Sequence, residues 1–495
     1  MRPPADRGGA PTGFLPRNRS RSMFDLLNSD AALSRRAWLG NYAGSIGALA
    51  LAQLLTRSGG ALGDDRKNHP AETGQGRAKA VICLFQHGGP SQMDLFDPKP
   101  ALNKYSGQPY PAGEVEAHFD KQKGNVLGSP YKFIKQGQCG MELCELMPRL
   151  GAIADDLTLV RSMNTESVDH EAALRLIHNG KLFAGLPVWG SWVTYALGTE
   201  NENLPAYVVL SDPKGLPVDG EKNWSSGFLP AINQGTMFRS GASPVHNLET
   251  PSGVTPAARK NQLAFLEKLN RRHMAAYPES TELAARIRNF EIAARMQSSV
   301  PEVADLSGET AETRELYGLD NPASAEYGAR CLLARRLVEK GVRFVQLVHN
   351  GQPWDTHSKN ADSLKSLCAM SDQPSAALVT DLKRRGLLDS TIVIWTGEFG
   401  RLPVSQGTDG RDHNRHAFSL WIAGGGFKPG YVHGGTDDFA YKSVDKVVTV
   451  HDLHATLLDR LGLDHRKLTF PFEGRDASLS DASVTGAEIV GELLA

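Results

Sequence analysis

Short, wholly apolar runs alternate along this chain with longer segments of helical spacing. Ala80-Val81-Ile82-Cys83-Leu84-Phe85 contains no polar residue and stops at Gln86-His87-Gly88-Gly89-Pro90. An apolar run of that length without alternation predicts a strand buried on both faces, as in a parallel sheet. Residues 157–160, 206–210, 342–348, 391–396 and 418–423 predict further strands. Helical patterns cover 170–182, 188–197, 325–340, 363–385 and 451–461. Between 255 and 296 the pattern is also helical, with Leu283, Ile287, Phe290 and Ala294 on one face and Pro278 dividing two helices. The Gly/Pro/Asn/Ser-rich stretch 212–250 predicts long loops. Alternation of this kind predicts an α/β fold with a mostly parallel central sheet and helices on both faces. We place that domain at 79–480, with a helical insertion at about 254–324 and a tail at 481–495.

The first 78 residues have a different character. Ser34-Arg35-Arg36-Ala37-Trp38-Leu39 precedes a weakly apolar run, 42–55, shorter than the roughly 20 residues a spanning helix needs. Twin arginines before such a run resemble a bacterial twin-arginine export signal. Residues 1–78 are therefore expected to be a disordered leader with its signal core at 34–55. The expected partner is the twin-arginine export machinery, the destination is periplasmic or extracellular, and no stable transmembrane span is expected. A buried or amphipathic helix is the alternative reading. No clean A-x-A cleavage site is present, and Met1 and Met23 are both candidate starts.

Charge narrows the function classes. The 495 residues carry 54 basic and 55 acidic side chains, a formal net charge of -1, so no basic excess argues for nucleic acid. The five cysteines form no CxxC pair, which argues against a disulfide framework. Cys139 and Cys144 are close enough to pair, but small buried or free thiols are the preferred reading. Neither a Walker A sequence nor a convincing dinucleotide fingerprint occurs.

The candidate chemistry lies where predicted strands end. Trp354-Asp355-Thr356-His357 and Thr396-Gly397-Glu398-Phe399-Gly400-Arg401 each follow an apolar run, and Arg411-Asp412-His413-Asn414 lies in the glycine-containing loop beyond the second. Carboxylates and imidazoles delivered by several strand ends are how an α/β enzyme assembles a metal-assisted hydrolytic site. Asp355 and His357, two apart in extended chain, face one side. Asp409-Gly410 favours a turn that swings His413 back to the strand end, and His413 is preferred over His416 as a ligand. His87, at the end of the first strand, and Asp94 are further ligand candidates. The set His87, Asp94, Asp355, His357, Glu398 and His413 suits one or two divalent ions, with Zn or Mn favoured over an all-oxygen Ca site. Arg401 is placed to clamp an anionic group. His170 opens a helix and is a candidate ligand or substrate contact, and Ser167 or Thr165 just before it is a candidate nucleophile or a helix cap. Trp354 and Trp224 are candidates to line a sugar-binding groove.

His87-Gly88-Gly89-Pro90-Ser91, Phe96-Asp97-Pro98-Lys99-Pro100, Trp354-Asp355-Thr356-His357, Glu398-Phe399-Gly400-Arg401, Asp412-His413 and Val450-His451-Asp452-Leu453-His454 resemble an exported, sulfatase-like bacterial family of unknown function. That family is similar in turn to the alkaline phosphatase superfamily. The resemblance covers roughly residues 23–480. It implies a central sheet with one or two metals at its carboxyl edge, and hydrolysis of an anionic phosphate or sulfate ester, such as a sulfated or phosphorylated glycan. Two departures stand out. Glu398-Phe399 occupies the place of the superfamily's Asp-His pair, and no Cys/Ser-x-Pro-x-Arg nucleophile motif occurs at 162–175. A non-catalytic metal- or glycan-binding module on the same fold is therefore the competing expectation.

Overall fold

The computed structural model describes residue 69 and residues 71–239, 244–245, 248, 253–277 and 281–495. The twin-arginine segment and Pro278 lie outside the described residues.

A nine-stranded sheet forms the centre. Its strands include β1 (Ala80–Phe85), β3 (Leu157–Asn164), β4 (Tyr207–Leu210), β5 (Thr236–Phe238), β6 (Phe344–Leu347), β7 (Thr391–Thr396), β10 (Phe418–Ala423), β11 (Tyr431–His433) and β12 (Val448–Thr449). A smaller sheet holds β2 (Lys123–Val126), β8 (Gly400–Gln406) and β9 (Gly410–Asn414). The order in the large sheet is β11-β3-β10-β7-β1-β6-β4-β5, with β12 also paired to β3. Every pairing is parallel except the two flanking β10. The expected mixed, mostly parallel α/β architecture is what the chain adopts.

Alternation along each strand explains the layers. Ile82, Leu84, Val345, Leu347, Val393 and Trp395 enter one core, with the helices α5 (Ala325–Glu339) and α6 (Asn360–Arg384). Val81, Cys83, Phe85, Phe344, Ile392 and Ile394 enter the other, with α1 (His170–Asn179), α2 (Trp189–Leu197) and α7 (Val450–Arg460). Because both faces are covered, these strands are mostly apolar rather than alternating, and the buried Gln346 of β6 is hydrogen-bonded to Tyr207 and His178. Two long helices, α3 (Pro256–Ala276) and α4 (Thr281–Ala304), lie between β5 and α5 along the chain. No helix among the described residues is long and apolar enough to cross a membrane.

Several expectations need correction. Residues 236–238, expected in a loop, form β5, which extends the sheet beside β4. The helix expected over 170–182 stops at Asn179, because Gly180 takes a left-handed conformation (φ 77°) and closes it. The 400–414 segment is a β-hairpin rather than a loop. The chain end is packed: Leu493 is buried and its carbonyl accepts from Lys428 N–H at 2.8 Å.

The topology gathers chemistry at one edge. β1, β3, β6 and β7 run in the same direction, and antiparallel β10 begins where they end. His87, His170, Asp355 and Glu398 follow the ends of these four strands, and His413 precedes the start of β10. Open α/β sheets present their ligand crevices at this edge.

Candidate metal centre

His170, Asp355, His357 and His413 converge, with one ligand atom from each lying within 4.8 Å of the others. Asp355 is the hub. Its Oδ1 lies 3.0 Å from His357 Nε2 and 3.2 Å from His413 Nε2, and its Oδ2 lies 3.3 Å from His170 Nε2.

Outer contacts orient these imidazoles. His413 Nδ1 faces the Val168 carbonyl at 2.6 Å, and His357 Nδ1 is hydrogen-bonded to Gln406 Oε1. Each acceptor requires the proton on Nδ1, so a neutral ring turns the lone pair of Nε2 toward Asp355. Two imidazole lone pairs and a carboxylate oxygen aimed at one another repel unless a cation sits among them. Metal-binding histidines use this same arrangement of outer acceptor and inner lone pair. The residues present therefore fit a divalent ion with a mixed nitrogen and oxygen donor set.

The electrostatics agree. Burial pulls His170 down, but hydrogen bonds to Asp355 and Glu398 outweigh it and hold the imidazole at about 9. A proton here stands where a cation is wanted. Burial alone raises the Asp355 carboxyl. The neighbouring His170 and the Arg401 guanidinium bonded to Oδ1 overcome this and hold it far below the usual carboxylate range. Burial, the Arg401 charge and the His170 charge together lower His413 to about 3.

Glu398 stands behind His170. Its Oε1 lies 2.7 Å from His170 Nδ1 and accepts from Gly88 N–H at 2.8 Å, while its buried Oε2 has no partner. The glycines of the first loop permit the close approach. Gly88 has φ 113°, and a Cβ there would strike the backbone of Asp355. Gly89 has φ 73°, and a Cβ would meet the Phe399 ring at 2.5 Å.

The other predicted residues are placed differently. His87 is fully buried beside the cluster, with Nδ1 3.5 Å from His349 N–H and Nε2 unpartnered. Asp94 stands outside the cluster. It makes a bidentate pair with Arg411 at 2.7 and 3.0 Å and accepts from Ser91 and Asn360. Both partners are wholly buried, so this carboxylate is already paired, and it is not among the four clustered residues. Arg401 is also wholly buried. Its guanidinium is bonded to Asp355 Oδ1 at 2.7 Å, to the carbonyls of Gly89 and Arg411 at 2.8 and 3.0 Å, and to that of Gly88. It ties the first loop and the hairpin to Asp355 and offers no exposed fork to an anion. Ser167 closes a small turn: its Oγ accepts from Asp169 N–H at 3.0 Å, while Asp169 caps α1. His416 pairs with Glu116 at 2.9 Å. Trp354 and Trp224 are buried, so neither lines a groove.

Three contributors carried no sequence signal. His118 stacks on His413 with ring centroids 5.2 Å apart, and Phe119 meets His357 at 5.3 Å. Both come from a loop far away in the chain, as does Gln406 relative to His357. Asp412, whose Oδ2 accepts from Phe119 N–H at 2.7 Å, ties that loop down.

The molecule is thus a mixed α/β protein with a three-histidine, one-aspartate cluster at the carboxyl edge of its sheet. It belongs to the family described as protein of unknown function (DUF1501), which matches residues 78–492. None of the curated proteins matches it. Among solved structures it is similar to Ps i-CgsB in complex with k-i-k-neocarrahexaose, with 10% identity over 78% of this chain and 72% of that one, at a TM-score of 0.34. It is similar to PsFucS1 sulfatase from Pseudoalteromonas sp., with 13% identity over 84% and 71%, at 0.32. A TAB5 alkaline phosphatase mutant with Mg bound in its M3 site shares 12% identity over 78% and 99%, at 0.34.

Proposed function

We propose that this protein is an exported, metal-dependent hydrolase of phosphate or sulfate esters. The observation that carries the reading is the convergence of His170, Asp355, His357 and His413 on one point. These four residues would hold the ion. When bound, a divalent metal supplies Lewis acidity toward an ester oxygen and lowers the pKa of water.

The chain's own residues do the rest. Gln406 and Val168 keep the Nδ1 protons of His357 and His413 outward and their Nε2 atoms inward. Glu398 orients His170, and Arg401 fixes the Asp355 carboxylate. Phe399, packed on His170 and His413, shields one side from water. Water is the nucleophile we assign, because Ser167 is engaged by Asp169 and Thr356 by Asn360, while Thr165 lines a cavity apart from the cluster. The same two bonds favour the second reading, a metal-binding module without turnover.

Elemental mass spectrometry on protein purified without chelator tests the first step. Stoichiometric Zn or Mn is expected, and an Asp355→Ala, His413→Ala double variant should lose it. The metal-loaded protein should then cleave 4-nitrophenyl phosphate or 4-nitrophenyl sulfate. Bound metal without cleavage of either would leave the binding module. No metal after reconstitution would remove both readings.

A further inference from the structure

A cavity of about 470 Å³ opens between the end of β3, the C-terminus of α1 and the start of α7, apart from the four clustered residues. Its size lies within the roughly 300–1,000 Å³ range of small-molecule sites. Two lining side chains are more than nine-tenths buried, Thr165 at 8% and His451 at 6% exposure. Each carries a buried polar atom without a partner, Thr165 Oγ1 and His451 Nδ1. Buried hydroxyls and imidazoles ordinarily find hydrogen bonds, so orphans of this kind point to a missing partner.

Charge decides the class of ligand. Lys181, in the wall, is neutralised by Asp481 at 2.7 Å. Glu166 faces His451 Nε2 at 3.7 Å. The N-terminus of α7 is closed by a capping box between Thr449 and Asp452, so its amides are not free for an anion. Leu182 and Phe183 stand on the rim, 38% and 57% exposed. An exposed aromatic ring beside the Glu166 carboxylate and buried, unpartnered polar atoms matches a ligand with one apolar face and a ring of hydroxyls.

We propose that this cavity binds a neutral sugar ring, with Phe183 beneath its apolar face and Thr165 and His451 hydrogen-bonded to its hydroxyls. The site is separate from the metal cluster, although the segment 164–170 runs from one to the other. Binding there requires neither metal nor turnover.

Saturation-transfer NMR on the full-length protein, with glucose, galactose and N-acetylglucosamine as probes, tests this. Transfer to ring protons of at least one probe is expected, unchanged by EDTA. Phe183→Ala, on the rim, should weaken that binding roughly tenfold, and Thr165→Val should weaken it while preserving the near-ultraviolet circular dichroism. If Thr165→Val does not fold, the exposed Phe183→Ala variant still decides the matter. No transfer to any probe would overturn the proposal. So would transfer indifferent to Phe183→Ala, and so would transfer abolished by EDTA, which would assign binding to the metal cluster instead.

Discussion

His413 and Asp355 face each other at the carboxyl edge of the sheet, with Nε2 3.2 Å from Oδ1, while the Val168 carbonyl claims the opposite ring nitrogen. The same relation joins His357 to Asp355, with Gln406 as the outer acceptor. Ring orientation therefore depends on residues outside the four-residue cluster. Gln406→Leu should lower metal affinity about 10–100-fold while leaving the fold intact. Competition against a chromogenic chelator, with circular dichroism as control, measures both effects.

Asp94 gives the opposite expectation. Asp94→Ala leaves the Arg411 guanidinium buried without its countercharge, which costs about 3–5 kcal/mol of stability. Urea denaturation should show that loss. Metal content in the variant that remains folded should be unchanged, because Asp94 belongs to an ion pair and not to the metal cluster. Loss of metal at full stability would reverse this assignment.

Gly88 tests the close approach of the first loop. With φ 113° and the Asp355 backbone against its Cα, Gly88→Ala forces the loop away from Asp355 and Glu398. Reduced thermal stability and reduced metal affinity should appear together, whereas Gly107→Ala, strained by φ 79° but open to space, should lower stability alone.

Asp372 supplies a pH dependence remote from the metal. Burial raises its carboxyl to about 6, against the opposing hydrogen bonds from Arg149 and Leu150 N–H. The folded state thus holds a proton that the unfolded state has released. Its contribution to stability is complete below about pH 4 and is lost as pH rises through about 6, on the order of 2–3 kcal/mol. Denaturation curves of wild type and Asp372→Asn should differ in slope across that window and run parallel above it.

Much was legible in the chain alone. The buried strands at 80–85, 391–396 and 418–423 announce themselves because a strand covered on both faces is apolar at nearly every position, with Thr391, Thr396 and Ser419 as the exceptions. Their order along the chain, each followed by a polar loop, already implied a site at strand ends, and Asp355, His357 and His413 were visible as its candidates. Asp409-Gly410 signalled that the chain turns back, although the product is a paired hairpin with Arg401 opposite His413. Which polar groups meet was a matter for the tertiary structure. Asp94, Glu398 and Arg401 look alike as loop charges in sequence, yet folding gives Asp94 to Arg411, sets Glu398 behind His170 and spends Arg401 on backbone carbonyls. His118, Phe119 and Gln406 reach the cluster from elements distant in the chain, and no local pattern encodes such meetings. Hydrophobic periodicity is a property of neighbours in sequence, so it specifies strands and layers. The partner of a buried charge is chosen by loop packing, and only the folded chain brings those loops together.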